Sequence, residues 1–109
     1  MELFALLDIT EGGRPERSIA VHDTATIGRD NDNDIVLRSM TVSRCHAVLL
    51  RDADQLLLLD LGSTNGTLVN GVAARPNAPV QLADGDNVQF GQVMALYRTL
   101  NLPPVYGDL

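Results

Sequence analysis

The chain has 109 residues, 45% of them apolar, with 14 acidic and 8 basic side chains and a formal net charge of −6. That length bounds one domain with its own core, and the apolar share excludes a disordered segment. An acidic molecule is a poor general binder of DNA, RNA or anionic membranes, so any anion must be held by a local cluster of arginines, which supply all eight basic side chains.

Leu3 to Ile9 is a short apolar run closed by Thr10-Glu11-Gly12-Gly13 and Pro15, which reads as a strand. It lacks the basic start and the length of a signal peptide, and no run approaches a membrane span, so the chain reads as soluble and cytoplasmic. Arg17 to His22 alternates, and Ala25 to Ile27 forms a strand ending at Gly28. Ile35 to Leu37 is a very short strand. Ala47 to Leu50 and Leu56 to Leu59 are apolar strands joined by Arg51 to Gln55. Asp60 to Gly66 is a polar loop. Thr67 to Val69 and Val72-Ala73 flank Asn70-Gly71, a strong two-residue hairpin signal. Pro76 to Pro79 is irregular and Leu82 to Asp86 a turn. Val88 and Phe90 alternate, and Gly91-Gln92 turns the chain into Val93 to Tyr97. No segment has helix caps followed by a helical period. Many short strands punctuated by glycine turns predict an antiparallel sandwich, whose loops gather at its two ends. The domain is expected over residues 1–100, with 101–109 a loose tail or the start of a linker.

Two stretches are chemically distinctive. Gly28 to His46 carries Gly28-Arg29 after one strand and Ser43-Arg44-Cys45-His46 before the next. Guanidinium forks and a hydroxyl brought to one rim suit a tetrahedral anion. Asp60 to Gly71 carries Thr64, Asn65 and Gly66. The Asn65 amide can hold an extended peptide in register, although Asn65-Gly66 also reads simply as a turn. Asp30, Asp32 and Asp34 mimic the start of a calcium loop, but the sixth and twelfth positions are Ile35 and Thr41 and no flanking helices are predicted. That turn reads instead as a cap on the loop after Arg29, or as a bar to acidic peptides. There is no phosphate-cradling GxxxxGK[ST] loop, no HExxH and no paired cysteine site, so no metal or cofactor is expected.

Gly28-Arg29, Ser43-Arg44-Cys45-His46, Gly62-Ser63-Thr64-Asn65-Gly66-Thr67, Asn70-Gly71, and Asp84-Gly85-Asp86 with Phe90-Gly91 together resemble a forkhead-associated (FHA) domain over about residues 26–91. The resemblance implies an eleven-stranded antiparallel β-sandwich that binds phosphothreonine peptides through loops at one end. By position, Arg29, Ser43 and Arg44 match phosphate-holding residues, Thr64 a further contact, and Asn65 the asparagine that holds the peptide backbone. Asn70 matches a position that either contacts peptide or builds its hairpin. Gly28, His46, Gly66 and Gly71 match structural positions. The implied partner is a phosphothreonine protein, a Ser/Thr kinase or its substrate, with phospho-dependent self-association as a further possibility.

The residues themselves carry alternatives. Arg29 also reads as a surface arginine paired with Asp30 or Asp32, and Ser43 as bonded to its own loop. His46 reads as a buried bracket rather than a base, since Cys45, the nucleophile beside it, would face the other way on a strand. Cys45 reads as a small core residue, and a lone cysteine makes no internal disulfide. Arg38 and Arg51 read as solvated, with a broader positive rim the alternative. A scaffold or self-association module that ignores phosphate is the rival function. A phosphatase lacks both a metal cluster and an activated nucleophile.

Overall fold

The computed structural model describes residues 4–99. Eleven strands and no helix occur among them: β1 Ala5–Thr10, β2 Arg17–Val21, β3 Ala25–Gly28, β4 Ile35–Val36, β5 Ala47–Asp52, β6 Gln55–Asp60, β7 Thr67–Val69, β8 Val72–Ala73, β9 Val80–Leu82, β10 Asn87–Phe90 and β11 Val93–Thr99. No helix there is long and apolar enough to cross a membrane. Leu3 and the expected tail at 101–109 lie outside the described residues.

Two sheets form. One has the order β2-β1-β11-β10-β7-β8 and the other β4-β3-β5-β6-β9. Their inner faces come from side chains spaced two apart, the strand period. β1 turns Ala5, Leu7 and Ile9 inward, β6 turns Leu56 and Leu58, and β11 turns Val93, Ala95 and Tyr97, all of them buried. Ile27, Leu49, Val88 and Phe90 join them in one core. Each fully buried Leu, Ile or Phe contributes about 1.5–3 kcal/mol relative to exposure, so this shared face is what holds the loop ends in place.

The structure differs from the sequence reading in three ways. β9 has no counterpart in the sequence pattern: only Leu82 of its three residues is buried, and Pro79 precedes it. It pairs through Leu56↔Leu82, Leu57↔Gln81 and Leu58↔Val80, completing the expected eleven. The sandwich is not wholly antiparallel, because β3 pairs β4 in parallel through Ile27↔Ile35 and Gly28↔Val36. Parallel neighbours normally need a long crossover. Here the loop 29–34 folds back tightly, because the Asp34 carboxylate accepts from the Thr26 backbone N–H (2.9 Å) and the Asn33 amide donates to the Asp30 carbonyl (2.9 Å). Finally, the β5–β6 connection is tighter than expected. Both strands extend until Ala53-Asp54 alone makes the turn, with Ala53 at a φ of 54°.

Candidate functional site

Gly28 ends β3 at a point where backbone meets backbone. A Cβ there would overlap the Arg44 carbonyl oxygen, so only glycine lets the two loops touch. Beyond it, the Arg29 N–H donates to the Ser43 carbonyl (3.0 Å) and the Asp30 N–H to the Arg44 carbonyl (3.3 Å). The Asn33 amide also donates to the Arg44 carbonyl, at 2.7 Å. These bonds lace the loop after β3 to the loop before β5, and they place Arg29 beside Ser43 and Arg44.

Each side chain is then oriented. Arg29 is half-buried and donates through Nε to the Val42 carbonyl (3.0 Å), which fixes the stem and leaves the two terminal nitrogens for another acceptor. Arg44 is exposed, and its guanidinium has no hydrogen bond or ion pair among the described residues. Ser43 Oγ accepts the Thr64 N–H at 3.0 Å, drawing the β6–β7 loop to the same rim. Asn65 is exposed and donates through Nδ2 to the Thr41 carbonyl (2.8 Å), while its own side-chain carbonyl has no partner among the described residues. Thr41 also receives the Gln92 N–H on its hydroxyl (2.9 Å), so three loops meet on it.

His46 lies beneath this rim and is fully buried. Its Nδ1 accepts the Ser43 N–H (3.0 Å), so the proton sits on Nε2, which donates to the Gly66 carbonyl (2.9 Å). The ring meets Phe90 edge-on, with centroids 5.8 Å apart. Burial holds the imidazole below its ordinary value of 6.5, against the opposing pull of the Gly66 carbonyl and the Asp60 charge. Both ring nitrogens are engaged by backbone groups of the two loops. Cys45, expected in the core, is exposed. It sits before β5 begins rather than within a strand, so its small apolar character has no face to bury.

Asp60 organises the β6–β7 loop from inside. Its carboxylate accepts from Gly62 N–H (2.9 Å), Ser63 N–H (3.1 Å), Ser63 Oγ (2.6 Å) and Thr67 Oγ1 (2.7 Å). Burial raises this carboxyl, but the Ser63 and Thr67 hydroxyls and the two backbone donors outweigh it and hold the group below 3.8. The sequence reading misses Asp60, Thr41 and Asn33 as positioning residues. An aspartate followed by Gly and Ser at two and three residues is a local turn signal that marks Asp60, whereas the roles of Thr41 and Asn33 are tertiary.

The result is an open hollow of about 590 Å³ lined by Arg29, Asp30, Ser43, Arg44, Cys45 and Thr64. Asp30 forms no ion pair with either arginine, so their donors stay available. Asn65 stands beside this hollow, next in the chain to Thr64. Asn70 and Gly71 lie apart from it. Asn70, at a φ of 51°, donates through Nδ2 to the Asp86 carboxylate and accepts the Asn87 N–H, each at 2.9 Å, so its amide ties the β7–β8 turn to the start of β10. Gly71 supplies the second positive φ (81°) that a two-residue type I′ turn requires.

A family model for the FHA domain matches residues 25–91. The chain belongs to the FHA domain family. A solved structure from a study of phosphothreonine-dependent FHA domain interactions superposes with a TM-score of 0.78 at 32% identity, covering 94% of this chain and 99% of that one. Among curated relatives, the oxoglutarate dehydrogenase inhibitor of Corynebacterium jeikeium is 37% identical over 85% of this chain and 63% of its own length. The glycogen accumulation regulator GarA of Mycolicibacterium smegmatis is 36% identical over 87% of this chain and 59% of its own. The FHA chain thus spans about 60% of the length of the curated relatives it matches first.

Proposed function

We propose that this FHA domain is a non-catalytic, cytoplasmic module that binds phosphothreonine in a partner protein, a Ser/Thr kinase or a substrate of one. The observation that carries the reading is the convergence of Arg29, Ser43, Arg44 and Thr64 on one hollow, with neither arginine neutralised by a carboxylate. A phosphothreonine monoester brings a charge of about −1.5 to −2 and three acceptor oxygens. The terminal nitrogens of Arg29, the Arg44 guanidinium and the Ser43 hydroxyl supply donors to those oxygens. Asn65 holds the peptide backbone beside the phosphate with its side-chain carbonyl. A carboxylate, planar and with two oxygens and one charge, fits such a donor set poorly.

The aligned FHA structure comes from work on phosphothreonine-dependent interactions, which supports the same reading. The relatives' names describe regulators, and a regulatory adaptor in kinase signalling is the role proposed here for the protein that carries this domain.

Titration of the domain with a phosphothreonine peptide library and its unphosphorylated counterpart tests the proposal. Binding should require the phosphate, and Arg29→Ala should abolish it while circular dichroism shows the fold intact. Equal binding of both peptide forms would reject phosphate reading, and unimpaired binding by Arg29→Ala would favour a scaffold that ignores phosphate.

A further inference from the structure

The eight arginines of this acidic chain are not distributed evenly in their pairing. Arg14, Arg17 and Arg98 pair with Glu11 or Asp8. Arg51 lies over the Phe4 ring, 4.1 Å from its centroid. Arg75 is exposed between β8 and β9. The three others without a carboxylate partner, Arg29, Arg38 and Arg44, flank the same two loops. Arg29 and Arg44 line the hollow described above. Arg38 lines a different one.

That second hollow, about 370 Å³, is bounded by Glu11, Gly12, Arg14, Arg38, Ser39, Gln92 and Val93. Glu11 forms its floor, 6% exposed. One Glu11 oxygen accepts the Arg38 backbone N–H (2.9 Å), and the other lies 3.7 Å from Arg14 Nε. The buried carboxylate therefore seats both arginines at the rim. Among the described residues Arg38's own guanidinium hydrogen-bonds only a neutral group, the Asn31 carbonyl (2.9 Å). Two guanidinium groups against one carboxylate leave the lining with an excess of one positive charge, on a molecule of net −6.

The two hollows share one continuous segment. Ser43 and Arg44 belong to the first, Arg38 and Ser39 to the second. Between them stands Thr41, which receives the Asn65 amide and the Gln92 N–H and bonds Ser39 Oγ (2.8 Å). Ser39 to Ser43 spans at most about 14 Å, the reach of four fully extended residues. A peptide held by the phosphate at one end and by Asn65 along its backbone therefore reaches the second hollow within about four residues.

We propose that Arg14 and Arg38 form a second anion subsite, which selects phosphothreonine peptides carrying a further acidic side chain. The inference rests on the phosphothreonine reading and adds to it a preference in the flanking sequence. Arg38 is then not merely solvated, and the acidic turn at 30–34 does not exclude acidic ligands from this side. The shared ligand chemistry is an anionic oxygen group, either a carboxylate or a second phosphate.

Phosphothreonine peptides bearing one glutamate, one glutamine or one phosphoserine at each of the four positions on either side, titrated by fluorescence anisotropy, test this. At one position glutamate or phosphoserine should tighten binding about two- to fivefold over glutamine, the size of an exposed ion pair. Glutamate acting alone or with phosphoserine identifies a carboxylate reader, and a gain confined to phosphoserine identifies a second phosphate. In R38Q and in R14Q, each checked for an unchanged melting curve, the acid-over-amide ratio should fall towards one. An absence of any acidic advantage in the native domain, or its persistence in both variants, overturns the proposal. Loss of phosphate dependence in the glutamine series would instead strike the phosphothreonine reading itself, so the two failures are distinguishable.

Discussion

His46 joins two loops that border the arginine-lined hollow: its Nε2 donates to the Gly66 carbonyl at 2.9 Å while its Nδ1 accepts the Ser43 N–H at 3.0 Å. Only a neutral ring with the proton on Nε2 makes both bonds. The imidazole is held below 6.5 in the folded chain, chiefly by burial, so the unfolded chain takes up its proton first as pH falls. The native stability it contributes is full above 6.5 and is lost as pH drops below that value, until the buried ring also protonates. His46→Ala should cost about 2–4 kcal/mol through the lost packing and two unpaired partners. Urea unfolding of both proteins between pH 7 and 5 checks this. A native curve as flat as the variant's would contradict the bracket.

Much of this arrangement was legible in the sequence, and the remainder failed for identifiable reasons. Alternation exposed most of the strands because their inward residues are large and apolar. Val80–Leu82 escaped because one inward side chain in three residues makes no pattern. The clustering of Arg29, Ser43, Arg44 and Thr64 on one hollow was legible because glycine, arginine, serine and asparagine fall in an ordered set, while its supports were not. Thr41 and Asn33 bond groups of other loops, and Glu11 reaches Arg38 across 27 residues. Such contacts leave no local spacing to read. Cys45 failed differently: a preference for burial held by cysteine in general was applied to a loop position at the rim.

Asp60 sets the shape of the loop that carries Thr64 and Asn65 without touching the hollow. Asp60→Asn replaces one acceptor oxygen by a donor facing donors. It should cost roughly 1–3 kcal/mol of stability, the range for a buried polar group left mispaired. Phosphopeptide affinity should fall with it, because the Thr64 N–H no longer meets Ser43 Oγ squarely. The acid limb of stability should change too. The carboxyl is held below 3.8, so its contribution is present above that pH and is lost as pH falls below it. Chemical denaturation at pH 7 and pH 3 reads both effects, and Asp60→Asn should lose less than the native domain on acidification.

Arg44 offers the cleanest separation of binding from folding. It is exposed and its side chain has no partner among the described residues, so Arg44→Ala removes nothing that the fold uses. The melting midpoint should stay where it is. Affinity for a phosphothreonine peptide should drop about tenfold or more, the weight of a charge-assisted contact to phosphate. Isothermal titration beside a thermal melt measures both. A shift in the melt without a loss of affinity would place Arg44 in the scaffold rather than at the phosphate.

Gly91 joins the β10–β11 turn to Thr41, and substitution there should disturb the rim from behind. Its φ is +58°, a conformation that costs an L-residue about 1–2 kcal/mol. A Cβ at this position would also overlap the Thr41 carbonyl oxygen, the atom that receives the Asn65 amide. Gly91→Ala should therefore lower stability and push Thr41 away from Asn65, freeing the asparagine proposed above to hold the peptide backbone. Arg29, Ser43 and Arg44 remain anchored through Gly28 and His46, so inorganic phosphate, which has no backbone to hold, should bind the variant as it binds the native domain. The phosphopeptide should bind more weakly. NMR titration of each ligand separates the two, and parallel losses for both would show that the Thr41 junction supports the whole rim rather than its peptide-holding half.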